Sequence, residues 1–367
     1  MKRVVIKVSS SAVLAEHSLK REALANLFSE VGLLMTRGIE CVLVLSGAVG
    51  RGKMHRGLTH KQAQASYGQL KLLSEVHDAA CEKGVDTALL LISREDIVNR
   101  ERYHSLQETV YEMLQANVVL IVNENDATSP SDTHEFTDND RLATILAITI
   151  NADALVILTK TNGVYTDDPF TSPDAKHIPE IDVIDNQVLS TGAETKTVHG
   201  RGGMMSKLQA ARLATAAGIH TYIAAAHEPN VLRRLFIDGE RVGTYCRPRA
   251  NCETEFSRRS RWLMSAHHSG ACVQIDAGAA LAVRSRKSLL AVGVRSIQGN
   301  FRVGESIEVV DEDGGTLALG LASIDSDTLR LALHQDETPF NVEVIHADNC
   351  ILLTALCVIS PSSAPAP

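Results

Sequence analysis

The chain carries 367 residues, 44% of them hydrophobic, with 36 Lys and Arg against 44 Asp and Glu for a net charge of −8. At about 100–200 residues per domain this length predicts two domains. The acidic balance argues against binding nucleic acid or an anionic membrane over the whole surface, leaving only local basic patches for such a role.

The start, MKRVVIKVSSSAVL, interrupts its apolar run with Lys7 and offers no small-residue cleavage site, so it predicts a first β-strand and not a signal peptide. Further on, no window approaches the ~18 consecutive apolar residues of a membrane span. Seven cysteines, odd in number and without a CxxC pair, read as reduced thiols of a cytoplasmic protein. Up to about residue 240, short apolar runs predict strands: VVIKV (4–8), CVLVLS (41–46), TALLLIS (87–93), VVLIVNEND (118–126), ALVILT (154–159) and HTYIAA (220–225). Each is apolar on both faces and bounded by polar residues or glycine, as strands buried in a parallel sheet are. Between them lie the helix-length segments Leu19–Thr36, Lys61–Lys83, Leu106–Gln115, Asp140–Ile150 and Met205–Ala217. This alternation predicts an α/β fold, a three-layer αβα sandwich on a mainly parallel sheet, with ligands bound beyond the carboxyl ends of the strands.

Residues 241–267 break the pattern and are expected to be a linker; Arg241–Arg261 holds six arginines, read as a solvated face. From residue 268 to 350 the chain predicts a small β-rich barrel, with strands in ACVQIDAGAALAV, GVRSIQGNF, SIEVVDEDGG, TLALGLASI and NVEVIHADNCILL. The tail, 351–367, ends in SPSSAPAP, which is disordered by composition.

Four clusters bear chemistry. Gly47-Ala-Val-Gly-Arg-Gly52-Lys53 imitates a nucleotide-binding P-loop, but Met54 stands where that motif needs Ser or Thr. Its Ser46-Gly47 start still offers backbone N–H groups to an anion, or is simply a tight strand-to-helix turn. Lys7 sits inside an apolar strand, where it is either paired or functional, or snorkels from the strand end; Ser9, Ser10 and Ser11 beside it suit phosphate. Asn123-Glu124-Asn125-Asp126 ends a strand and Asp138-Asn139-Asp140 opens a helix. One member of the second cluster is expected to be an N-cap, while the whole set suits an amino-acid ammonium group or the water shell of Mg²⁺. Gly200-Arg201-Gly202-Gly203-Met204-Met205-Ser206-Lys207 precedes a helix and forms a second anion site. Two distant lysines, two glycine-containing loops and an acidic/amide cluster suit phosphoryl transfer, in which the protein positions groups and neutralises charge.

The segments VVIKVSSSAVL, LSGAVGRG, Gly68-Gln69, SREDIVNRERY, VNENDA, FTDNDRLA, LTKTNGVYTDDP and GRGGMMSKLQAA occur in an order that resembles the bacterial glutamate 5-kinases of the amino-acid kinase superfamily. The segment containing SIQGNFRVGESIEVV resembles the PUA domain that many of those enzymes carry. The resemblance implies an amino-acid kinase fold over 1–240 and transfer of the ATP γ-phosphoryl group to the side-chain carboxylate of L-glutamate, the first step of proline synthesis. By the same resemblance Lys7 and Lys207 neutralise the moving phosphoryl group, and Asp138 and Asp140 organise the lysines, the Mg²⁺ or the substrate amine. Ser46, Gly47, Asn123, Asp126 and Asn139 take glutamate. ATP falls to Lys7, Ser9, Thr159, Lys160 and the run Arg201, Gly202, Gly203, Met204, Met205, Ser206 and Lys207, with no metal ligand assigned. Thr128–Phe136 corresponds to a substrate lid where proline inhibits. A homo-oligomer, dimer or tetramer, is expected. Three positions depart from the family pattern: Ser9 replaces a glycine, Lys160 an aspartate and Arg201 a threonine, which implies modified nucleotide handling.

The alternatives are a related kinase of aspartate or N-acetylglutamate, or a non-catalytic regulatory protein that binds RNA through the PUA-like segment. Six Arg or Lys against eleven Asp or Glu between His268 and Glu343 speak against the second.

Overall fold

In the computed structural model the described residues are 1–9, 20–128, 138–193, 203–248, 258–266, 270–334 and 342–353. The chain divides into two compact units, Met1–Arg249 and Ala250–Pro367.

The first unit is built on an eight-stranded sheet. In chain order its strands are β1 (Arg3–Val8), β2 (Glu40–Leu45), β3 (Thr87–Ile92), β4 (Val119–Glu124), β5 (Ala154–Thr159), β8 (Glu180–Ile181), β9 (His220–Ala225) and β10 (Thr244–Cys246), and a separate ribbon pairs β6 (Val164–Tyr165) with β7 (His177–Ile178). The spatial order is β3-β4-β2-β1-β5-β9-β10-β8. The first six are mutually parallel, and β10 runs antiparallel to β9. All the carboxyl ends of the parallel strands therefore lie along one edge. The helices are α1 (Arg21–Thr36), α2 (Ala48–Gly52), α3 (Lys61–Cys81), α4 (Arg94–Val98), α5 (Arg100–Gln115), α6 (Asn139–Thr149), α7 (Asn186–Ala193), α8 (Met204–Ala216) and α9 (Val231–Phe236).

Strand alternation divides the core. Val4, Ile6 and Val8 of β1 face one layer with α1 and α3, so Val5 and Lys7 face the other. That second layer holds α6, which is buried from Leu142 to Thr149 and packs against β1, β2, β4, β5 and α8. A helix apolar on all sides belongs inside, covered by sheet on one side and helix on the other. One strand departs from its sequence reading: among the described residues β3 is an edge strand, and Leu89 is 45% exposed. Within the stretch expected as a linker, Thr244–Cys246 forms β10 of this sheet.

The second unit is a curled six-stranded sheet in the order β12-β16-β15-β14-β11-β13. Its elements are α10 (Arg258–Ala266), β11 (Cys272–Ile275), α11 (Ala277–Arg284), β12 (Leu289–Leu290), β13 (Val294–Gln298), β14 (Ser306–Val310), β15 (Thr316–Ala322), α12 (Ser326–His334) and β16 (Glu343–Leu352). Its own core includes Val273, Ile275, Ile307, Val309, Leu317 and Val344. The run 271–283, expected as strand, turns into helix α11 at Asp276, whose carboxylate accepts from the Ala279 N–H as an N-cap. Alanine-rich AGAALAV then prefers helix to strand. The tail from 354 onward lies outside the described residues.

Candidate active site

The carboxyl edge of the sheet gathers the polar groups. Lys7 is the fifth residue of β1 and lies in register with Val44 and Ile157 of the flanking strands. Its side chain is 7% exposed and its Nζ lies 2.6 Å from Asp140 Oδ1, while Asp140 is fully buried. Lys207, on the first turn of α8, reaches the other oxygen: Nζ to Asp140 Oδ2 is 3.1 Å, with the lysine side chain 6% exposed. Burial excludes the snorkelling alternative for Lys7. Two ammonium groups thus share one carboxylate, and the Ser206 hydroxyl lies 3.3 Å from the same Oδ2. Burial works to raise the Asp140 carboxyl, but the charges and hydrogen bonds of Lys7 and Lys207 outweigh it and hold the group below its ordinary range.

Asp138 is the N-cap of α6. Its Oδ1 accepts from the N–H groups of Asp140 (3.0 Å) and Arg141 (2.9 Å). Burial raises its carboxyl, and the charge of Asp140 two residues on pushes the same way, against the Arg141 N–H, the Ser206 hydroxyl and Lys7. The two carboxyls are therefore shifted in opposite directions: Lys7 and Lys207 lower that of Asp140, whereas burial and the charge of Asp140 raise that of Asp138 despite the helix N–H it accepts.

Beside this lies a ladder of amides. Asn139 Nδ2 donates to the Leu45 carbonyl (2.5 Å) and to Asn123 Oδ1 (2.9 Å). Asn123 Nδ2 in turn donates to Gln69 Oε1 (2.8 Å). Ser46 and Gly47 follow Leu45; Gly47 has φ 126°, a region costly for any residue with a Cβ. Asp126 is not joined to this ladder: its Oδ1 accepts from Lys61 Nζ at 2.5 Å, across from the start of α3.

Of the residues expected to take nucleotide, Thr159 is the buried last residue of β5 and Lys160 follows it, exposed. Gly203 is the N-cap of α8, followed by Met204, Met205, Ser206 and Lys207 within the helix. Ser9 donates its N–H to the Leu158 carbonyl (3.1 Å). It is not among the four described non-glycine residues with positive φ, Asn117, Asn151, Asn230 and Arg286, so the family's glycine is not conformationally required there. Arg201 and Gly202, like Ser10, Ser11 and most of the expected lid 128–136, lie outside the described residues.

Sequence reading assigned no place in the site to Gln69 or Lys61. Both lie on α3, whose sequence reads as an ordinary packing helix, and only the fold shows that α3 borders the carboxyl edge. The signal in the sequence is the pair Gly68-Gln69, which carries part of the family resemblance; a Cβ on Gly68 would sit 1.8 Å from the Ala48 carbonyl oxygen, so α3 lies directly against α2.

The profile of the amino acid kinase family matches residues 2–225, and that of the PUA domain residues 272–338. The glutamate 5-kinase of Chromobacterium violaceum is 37% identical over 96% of this chain and 98% of its own length. The glutamate 5-kinase of Pseudomonas putida is 36% identical over the same shares, and that of Methylococcus capsulatus 33% over 96% and 97%. Among solved structures, a UMP kinase from Bacillus anthracis aligns with 68% of this chain and 97% of its own, at 20% identity and a TM-score of 0.48.

Proposed function

The chain belongs to the amino acid kinase family and, by its identity over nearly the whole length, to the glutamate 5-kinases within it; from that membership we propose that it transfers the γ-phosphoryl group of ATP to the side-chain carboxylate of L-glutamate, yielding γ-glutamyl phosphate and ADP. The observation that carries the mechanism is the buried Lys7–Asp140–Lys207 clamp. A glutamate carboxylate oxygen attacks the γ-phosphorus while the bond to the β–γ bridging oxygen breaks and ADP leaves with those electrons. The nucleophile is ionised at neutral pH, so no strong general base is required. What the site must supply is positive charge at fixed positions where the phosphoryl oxygens pass. Lys7 and Lys207 supply it, and Asp140 sets their spacing without needing to titrate.

Ser46, Gly47, Asn123, Asp126 and Asn139 line the glutamate side of the edge. Ser9, Thr159, Lys160 and Gly203 to Lys207 take the nucleotide, together with Arg201 and Gly202. ATP is the phosphoryl donor. Among the described residues no cluster of three or more His, Cys, Asp or Glu is placed to hold a metal ion, and both Asp140 oxygens face lysines. That donor set fits Mg²⁺ carried largely by ATP phosphates, a cation that keeps several waters and needs only one or two carboxylates. Asp138 is the residue that would hold it, and its chemistry there is neutralisation of phosphate charge.

No described helix is long and apolar enough to cross a membrane, and the reading places the reaction in the cytoplasm. Self-association and proline inhibition through segment 128–136 belong to the same reading and rest on the family resemblance. The relatives do not favour the aspartate, N-acetylglutamate or RNA-binding alternatives.

Hydroxylamine trapping tests the proposal, because it converts an acyl phosphate to a coloured hydroxamate. Purified protein with Mg²⁺-ATP is expected to give a signal with L-glutamate, far less with aspartate or N-acetylglutamate, and none in Lys207→Ala. A stronger signal with another acid would change the substrate, and silence with all three from folded protein would overturn the kinase reading.

A further inference from the structure

The amide ladder ends in a residue that the phosphoryl-transfer chemistry does not use. Gln69, on α3, accepts a hydrogen bond from Asn123 Nδ2 through Oε1 at 2.8 Å. Its own Nε2 is buried without a hydrogen-bond partner. A buried donor left unpaired is a standing cost to the fold, and a methionine of similar length would avoid it. The side chain therefore contributes through its oxygen alone.

That oxygen fixes the sense of every group down the ladder. With Nδ2 of Asn123 turned to Gln69, its Oδ1 must face the other way, where it accepts from the Glu124 N–H (2.9 Å) and from Asn139 Nδ2 (2.9 Å). The Asn139 amide spends its hydrogens on Asn123 and on the Leu45 carbonyl (2.5 Å). Its Oδ1 is not spent in either of these bonds. An amide turned over at Asn123 would set an NH₂ against an NH₂ and release Asn139. Four separate elements, α3, β4, α6 and the end of β2, are tied together by this one polarity.

We propose that Gln69 is a positioning residue for the acceptor substrate: it orients Asn123 and, through it, holds Asn139 with its carbonyl oxygen toward a donor group on the substrate, an ammonium in the case of an α-amino acid. This rests on the glutamate reading for the identity of the substrate but not for the orientation itself, and the test separates the two.

In the full chain, Gln69→Met is expected to raise the KM for glutamate about tenfold, the loss of one well-placed neutral hydrogen bond. The KM for ATP stays unchanged and the melting temperature shifts little, because the unpaired Gln69 Nε2 is removed while Asn123 Nδ2 loses its acceptor. In an Asn123→Ala background the same change is expected to add nothing, because the two residues act in series. An unchanged KM for glutamate in Gln69→Met, or an effect that adds in full to Asn123→Ala, would overturn the proposal. The orientation is read independently by ¹⁵N NMR of the side-chain amides, in which the hydrogen-bonded Asn139 NH₂ signals are expected to shift and exchange faster in Gln69→Met. Signals that stay in place overturn it whether or not glutamate is phosphorylated. Glutamate silence in the unmodified protein, with the Asn139 signals moved in the variant, would sink the substrate reading and leave the positioning role standing.

Discussion

At the scale of single residues, the decisive object is one carboxylate between two ammonium groups. The sequence displays Lys7 as an anomaly in an apolar strand and Lys207 as a cation at the unfavourable end of a helix, so both were legible as functional. What it does not display is that one acid serves both, because Lys7 and Lys207 lie 133 and 67 positions from Asp140. Only the face of β1 that looks toward α6 brings them together. Asp140→Asn leaves two buried cations without their counter-charge, and loss of one partner in a buried pair costs about 3–5 kcal/mol. Urea denaturation is expected to show a loss of that order, together with loss of hydroxamate formation. The clamp's pH dependence has a definite sign. Asp140 is held below its ordinary range when folded, so its contribution is fully present above the unfolded carboxylate pKa of about 3.9 and is lost as pH falls through the lower folded value.

At the scale of elements, α6 sets two demands against each other at its first turn. Asp138 caps the helix well through Oδ1, yet its charge is buried next to Asp140 and its carboxyl is raised. A raised carboxyl makes the ionised form a cost to folding, present in full above the folded pKa and absent below the unfolded one. Asp138→Asn keeps the capping oxygen and removes that charge. Its melting temperature at pH 7 is expected to equal or exceed that of the unmodified protein, with the difference shrinking as the pH approaches 4, while its kcat falls. A lower melting temperature at pH 7 would show that the charge is not a burden there. The strands and most helices could be read because apolar period and length agree. Where two principles competed, the reading failed: at 271–283 an apolar run resembled a strand, but a capping aspartate and alanines won. The role of α3 was hidden for a different reason. Gln69 was marked only by its place in the Gly68-Gln69 motif, with no role attached, and Lys61 not at all, because both acquire their significance from what the fold places opposite them.

At the scale of the molecule, the division into 1–249 and 250–367 is matched by two separate apolar cores, the mark of units able to fold alone. Every described site residue belongs to the first. Residues 1–249 expressed alone are expected to give glutamate-dependent hydroxamate at a rate within a few fold of the full chain; a folded but silent fragment would place an essential contribution in the second unit. The sheet order has a consequence for how the protein is made. β1, synthesised before every other strand of this sheet, occupies the middle of its parallel part, and its neighbour β5 ends only at Thr159. On the ribosome the opening strand must wait, unpaired on that side, while more than a hundred further residues emerge. The ammonium of Lys7 meets its counter-charge only once residue 140 has appeared, and the second cation closes the arrangement only after residue 207. Assembly of the catalytic charges is therefore a late event on the nascent chain, and translation arrested before α8 should yield no kinase-competent intermediate.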